Sequence, residues 1–408
     1  VSPAVEEARG AEGADSRAIA VVIPSGLRPL AGGTERAMVA ARNVGGVLRE
    51  LERRFPGFAD GLGGSFAVAI DGELHPGAAQ QPVAAGSELH FLPAISGGAG
   101  AEAAAAQGAA EGRVFAAPRS IAEAVALLES RGGDACVLAG GTDLLVQMRS
   151  GLRRPALLVD VKRIPELQQL RFEGEECVIG AAHSAAALRE HPDLRQRWPG
   201  VVEAAELIGS EQIQGRASLG GNLCNASPAA DTVPALVAAA ARCEIAGPGG
   251  LRFVAAEDFC LGPGENALAP GELLVALRLP LPAPRSADAY LRLIPRSEMD
   301  IAVAGAGVSL TLDAQGRIAA ARIALGAVAP RVLLLEALGQ SLVGAAPDEA
   351  ALARVAESAR VAVRPIDDKR GTVEYRRHVA GVLARRALAI AARRALAIAA
   401  RRAAARGD

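Results

Sequence analysis

Two glycine pairs sit among small, hydrogen-bonding residues, the first of them where a strand-like run ends. The first lies in Leu138-Ala139-Gly140-Gly141-Thr142-Asp143. Glycine lets backbone N–H groups come close to a ligand, and a helix starting there carries partial positive charge at its first turn. Phosphate oxygens suit such a place. An ordinary strand-to-helix turn capped by Thr142 fits the same residues. The second pair lies in Ser218-Leu219-Gly220-Gly221-Asn222-Leu223-Cys224, a run that continues to a lone carboxylate, Asp231. A dinucleotide needs a cradle for its pyrophosphate and an anchor for its ribose or ring. Two glycine loops about 80 residues apart could meet both needs. Neither loop has the Gly-x-Gly-x-x-Gly spacing, so a Rossmann site is disfavoured.

These loops need elements to hold them. At 408 residues the chain calls for two to four domains. Residues 18–23 read as a strand, and Val44–Phe55 as an amphipathic helix stopped by Pro56-Gly57. Phe66–Ile70, Asp71-Gly72 and Glu73-Leu74 read as a hairpin, followed by a strand at Leu89–Leu92. Residues 1–16 and 99–112 carry no large apolar run and read as a disordered start and a linker. A second unit opens at Phe115, with Pro118-Arg119-Ser120 capping a helix over Ile121–Ser130. Ala135–Ala139 reads as a strand and Asp143–Arg149 as the helix after the first glycine pair. Helix–strand alternation is expected to about residue 245, then a strand near Leu273–Leu279. A third unit opens near Tyr290, with strands at Val303–Leu312 and Ile318–Ala327 around Gln315-Gly316. An octapeptide at 384–391 repeats at 392–399. Eight residues is near two helical turns, so the copy is expected to extend a helix with its face little rotated. A basic membrane-surface helix is the other reading of that tail.

Composition excludes several classes. Lys+Arg number 44 against 45 Asp+Glu, so no long-range field favours nucleic acid or anionic lipid. Only Lys162 and Lys369 are lysine; the wealth of Arg, Ala, Gly and Pro points to a GC-rich coding genome. The five cysteines, Cys136, Cys177, Cys224, Cys243 and Cys260, are never closer than 17 residues. That spacing indicates neither a zinc nor an iron–sulfur site, nor a secreted disulfide framework. No apolar run spans a membrane, and the acidic start is unlike a signal peptide. The expectation is a cytoplasmic protein.

Residues 113–391 resemble the FAD-binding medium subunit of the xanthine dehydrogenase / aerobic carbon monoxide dehydrogenase family, the molybdenum hydroxylases. The resemblance runs through 139–145, 216–231 and 271–280, then Arg296-Ser297-Glu298-Met299-Asp300-Ile301-Ala302, and Leu325-Gly326-Ala327-Val328-Ala329-Pro330. It implies an α+β multidomain chain: a PCMH-type FAD-binding fold of two α/β subdomains, then a small α+β C-terminal domain. It implies that Leu138, Ala139, Gly140, Gly141, Thr142 and Asp143 form the first FAD loop, and that Ser218, Gly220, Gly221 and Asn222 form the second. Cys224 would lie near the flavin or ribitol, or simply pack. Asp231 would bond the cofactor's polar portion, and Leu274 would pack on it. Arg292 stands where some relatives have a Lys near the flavin; a solvated surface charge is the alternative. No acid–base pair or metal site is expected. The resemblance implies an iron–sulfur small subunit and a molybdopterin large subunit as partners, in a heterotrimer that could dimerise. It also implies electrons passing from [2Fe–2S] clusters to FAD and on to NAD, a quinone or another acceptor.

Residues 18–98 resemble the β-grasp (ubiquitin-like) sulfur carriers of MoaD/ThiS type. The matched residues are Ile23-Pro24-Ser25-Gly26-Leu27-Arg28, Arg54-Phe55-Pro56-Gly57, Ile70-Asp71-Gly72-Glu73, and Phe91 through Gly97-Gly98. In those carriers the Gly-Gly pair ends the chain and its carboxylate takes sulfur. Here Ala99 follows, so loading requires cleavage after Gly98. A processed fusion, a docking relic, a joining of genes with no role and a plain hinge all stay open. The expected division is therefore 17–98 β-grasp, 99–112 linker, 113–285 FAD-binding, 286–391 C-terminal domain and 392–408 basic helical tail.

Overall fold

The computed structural model describes residues 18–24, 27–62, 66–71, 73–76, 79–93, 114–297 and 299–406. The expectations for residues 1–16, Ser25-Gly26, Gly72, Gly97-Gly98, the 99–112 linker and Glu298 lie outside the described residues. The chain divides into two compact units, Val1–Glu111 and Gly112–Asp408.

The first unit is a five-stranded sheet in the order Arg36–Ala40, Ala18–Val22, Glu88–Pro93, Phe66–Ile70, Glu73–Pro76. Ala18–Val22 and the central strand Glu88–Pro93 run parallel and the other pairs antiparallel. The helix Val44–Arg54 packs on it. Asn43 starts that helix by accepting the Gly46 N–H at 2.9 Å. Val44, Val47 and Leu51 lie one helical face apart and pack on Ile19, Val21 and Leu89. The strand Arg36–Ala40 was not expected from sequence. Its alternation is present, with Ala37 and Val39 buried and Arg36, Met38 and Ala40 exposed. Alanine, methionine and arginine give that alternation little β-branched character, which hides it.

The second unit begins with a three-stranded parallel sheet, ordered Val114–Ala116, Leu157–Asp160, Ala135–Leu138. Ser120 caps the helix Ile121–Arg131 by accepting the Glu123 N–H, and Glu123 returns a bond to the Arg119 N–H. Next comes an antiparallel sheet ordered Gly250–Ala255, Arg242–Gly247, Leu273–Pro280, Glu176–Gly180, Leu170–Glu173. The expected alternation stops early. Between Ala185 and Ala238 lie six short helices and no strand. They pack on the second sheet through Leu188, Leu194, Trp198, Leu219, Leu223 and Leu236.

The C-terminal part is a four-stranded antiparallel sheet ordered Ser286–Leu293, Ala304–Leu312, Ile318–Gly326, Leu333–Leu334. Two helices, Glu349–Ala362 and Val373–Arg406, cover one face. The last helix has 34 residues and runs without a break through both copies of the octapeptide. The copies do not present the same face. Eight residues turn about 80° beyond two full turns. Leu388 is fully buried, whereas its counterpart Leu396 is 47% exposed. The α+β multidomain class that the resemblance implies is the one observed.

The helix Thr232–Ala238 is buried along its whole length. It reaches the C-terminal sheet because Gly307 lacks a side chain: a Cβ there would meet the Pro234 carbonyl oxygen at 2.3 Å. Among the described residues no helix is long and apolar enough to cross a membrane.

Candidate functional site: a cavity between two glycine loops

The first loop follows the strand Ala135–Leu138. Lys162 holds its start, donating from Nζ to the Ala139 carbonyl at 3.0 Å and to Asp160 Oδ1 at 2.7 Å. Gly141 has φ of +76°, a conformation that other residues resist. A Cβ on Gly140 would lie 1.9 Å from the Arg216 carbonyl oxygen. The first turn therefore rests on the backbone that leads into the second loop. Leu138 lies under the turn, with Cδ1 against Gly141. Thr142 does not cap the following helix, Leu144–Arg149. Asp143 occupies that position and its side chain makes no capping bond. Burial pushes the Asp143 carboxyl above its usual range, and a hydrogen bond with Thr142 opposes this.

The second loop is built as a helix start. Ser218 Oγ accepts the Gly221 N–H at 3.0 Å and opens the helix Leu219–Cys224. A Cβ on Gly220 would fall 2.3 Å from the Ala181 carbonyl oxygen, so this turn is pressed onto the end of the strand Glu176–Gly180. Asn222 Oδ1 accepts the Thr232 hydroxyl at 2.7 Å and the Thr232 N–H at 3.3 Å. Gln147 donates to Asn225 Oδ1 at 2.8 Å, which joins the helix after the first loop to the second loop. Asn266 donates to the Cys224 carbonyl at 2.8 Å.

The two loops enclose a cavity of about 430 Å³. Of the residues expected to bind a cofactor, Ala139, Gly140, Gly141, Thr142, Asp143, Ser218, Gly220, Gly221, Asn222, Cys224 and Leu274 line it. Leu138, Asp231 and Arg292 do not. The Cys224 thiol is pushed up to about 12 by desolvation, so it stays neutral where it lines the cavity. Leu274 forms part of the apolar wall from the strand Leu273–Pro280.

Asp231 and Arg292 are occupied with each other. Arg292 Nη1 donates to Asp231 Oδ2 at 2.5 Å, and the Tyr290 hydroxyl donates to Asp231 Oδ1 at 3.0 Å. The Arg292 side chain is 7% exposed, so the solvated-surface alternative is wrong. A guanidinium that deep needs a counter-charge, and Asp231 supplies it. Desolvation pushes the Asp231 carboxyl up to about 6 despite Arg292.

The reading from residue types missed Gln147, Asn225, Asn266 and Thr232. Asn225 sits inside the second loop and was within reach. Gln147 and Asn266 act through partners 78 and 42 residues away, which spacing does not reveal, and Thr232 acts through Asn222, ten residues before it. The five cysteines are free, and among the described residues no group of three or more His, Cys, Asp or Glu converges on a metal position.

The cavity suits FAD on its own terms. Its volume falls within the roughly 300–1,000 Å³ of small-molecule sites. It sets an apolar wall opposite glycine turns and side-chain amides. Comparison with known proteins points the same way. The profile of the FAD binding domain in molybdopterin dehydrogenase matches residues 109–282. That of the CO dehydrogenase flavoprotein C-terminal domain matches residues 289–391, and that of the ThiS family residues 21–98. The carbon monoxide dehydrogenase medium chain of Afipia carboxidovorans is 40% identical over 271 residues, 66% of this chain and 93% of the relative. The xanthine dehydrogenase FAD-binding subunit of Escherichia coli O157:H7 is 30% identical over 273 residues, 66% of this chain and 92% of the relative. Reconstituted CO dehydrogenase from Oligotropha carboxidovorans superposes with a TM-score of 0.67 at 39% identity, covering 69% of this chain and 98% of that one. The chain belongs to the FAD-binding medium subunits of the molybdenum hydroxylases. It is an oxidoreductase subunit, it carries FAD, and a ThiS-like domain precedes its flavin-binding part.

Proposed function

We propose that this chain is the electron-transfer subunit of a cytoplasmic heterotrimer with an iron–sulfur small subunit and a molybdopterin large subunit. Bound FAD supplies the redox chemistry, linking [2Fe–2S] clusters on the small subunit to NAD or a quinone. The chain's own residues bind and orient the cofactor. The glycine turns at 140–141 and 220–221 admit its phosphates to the backbone, Asn222 donates to it, and Leu274 packs against it. The observation that carries this reading is the contact between two distant glycine loops around one cavity. Free thiols fit a reducing compartment. Protein purified after refolding with FAD should absorb at about 450 nm, as bound flavins do; a colourless protein sinks the reading. Co-purification should bring down both partner subunits. Anaerobic mixing of the reduced protein with NAD or with a quinone distinguishes the acceptors.

A second reading attaches to the first unit. The ThiS match ends at residue 98, where a sulfur carrier would end. Cleavage after Gly98 would release a carrier for molybdopterin biosynthesis. Intact-mass measurement of cell-derived protein tests this: a fragment ending at Gly98, or a sulfur adduct on it, supports release. Full-length chain alone opposes it.

A further inference from the structure

We propose that Thr232 is a positioning residue for FAD: it fixes the Asn222 amide so that its NH2 group is offered to the cavity. Asn222 lines the cavity. One end of its amide faces two donors of Thr232, the hydroxyl at 2.7 Å and the backbone N–H at 3.3 Å. A hydroxyl adapts to either role, but a backbone N–H only donates. The end facing Thr232 must therefore be the oxygen. A flipped amide could still donate to the hydroxyl, but it would set NH2 against the Thr232 N–H and leave that buried N–H without an acceptor.

Thr232 cannot yield. It is fully buried, at the first turn of the helix that Gly307 seats against the C-terminal sheet. Among the described residues nothing accepts from Asn222 Nδ2. The loop thus presents a donor of fixed polarity without a protein partner, in a cavity whose ligand is rich in phosphate, ribityl and ring-carbonyl oxygens. Thr232 itself does not line the cavity and acts through Asn222.

The inference rests on FAD occupying this cavity, and the test separates the two. The full chain, freed of cofactor, is titrated with FAD by flavin fluorescence. Thr232→Val keeps shape and N–H but loses the hydroxyl, and should weaken binding about tenfold, the scale of one polar contact. Thr232→Ser keeps both donors and should stay within about twofold of wild type. In an Asn222→Ala background, Thr232→Val should cost nothing further, because the amide it orients is gone. A full loss there as well would make Thr232 a purely structural residue and overturn the inference. So would Thr232→Ser binding as poorly as Asn222→Asp, which keeps the acceptor and removes the donor. Should Thr232→Val not fold, the comparison of Thr232→Ser with Asn222→Asp carries the test. A wild-type chain that takes up no FAD overturns the cavity assignment and the inference with it.

Discussion

At the scale of residues, the strand Ser286–Leu293 carries the most unusual chemistry outside the cavity. Asp288 is buried and accepts the Gly200 N–H at 3.0 Å, at the start of the helix Pro199–Glu206. Among the described residues its Oδ2 finds no well-formed hydrogen-bond partner. Burial pushes its carboxyl up to about 7, and Glu203 adds to the rise. Arg394, from the second copy of the octapeptide, donates to the Asp288 carbonyl and pairs with Glu203. The raised value means that the folded protein holds this proton more tightly than the unfolded chain does. Its stabilising contribution is full below about pH 4 and is lost as pH rises through about 7. Asp288→Asn keeps the accepting oxygen and cannot ionise. Urea unfolding across that window should show the variant gaining on wild type as pH rises. A constant gap between the two would mean that Asp288 titrates normally.

At the scale of elements, the duplicated octapeptide is an internal control. Leu388→Ala empties a packed position and should cost about 2–5 kcal/mol. Leu396→Ala removes a half-exposed side chain and should stay within about 0.5 kcal/mol. Chemical denaturation of the two variants measures both. Equal costs would mean that the second copy packs as tightly as the first. The same helix shows what was legible beforehand. An alanine-rich tail was readable as helix, but which leucine it buries depends on a rotation that only packing reveals. Val44–Arg54 was legible because its apolar residues fall at helical spacing. Ser286–Leu293 was not read as a strand, since Ala287, Asp288 and Ala289 carry no strand signal; their place is set by pairing with Ala304–Leu312. The glycine loops were legible because each is contiguous. The Asp231–Tyr290–Arg292 cluster was not, because its members meet across about 60 residues of chain.

At the scale of the whole molecule, every residue lining the cavity belongs to the unit Gly112–Asp408. Residues 112–408 expressed alone should therefore bind FAD within about twofold of the full chain, since no contact to the ligand is lost. Calorimetric titration of the two proteins compares them, and a large loss would give the ThiS-like unit a part in holding the cofactor. FAD should also raise the melting temperature of both proteins with concentration, as a ligand of the folded state does.

The contact of Gly140 with the Arg216 backbone has a consequence for biosynthesis. The first turn leaves the ribosome well before the segment it leans on, so half a cradle waits for its other half. Capture of the flavin must follow synthesis of the Ser218–Asp231 stretch and the seating of Thr232 behind it. A ribosome stalled between the two loops should carry a nascent chain with no hold on FAD, however much of the first sheet has already formed.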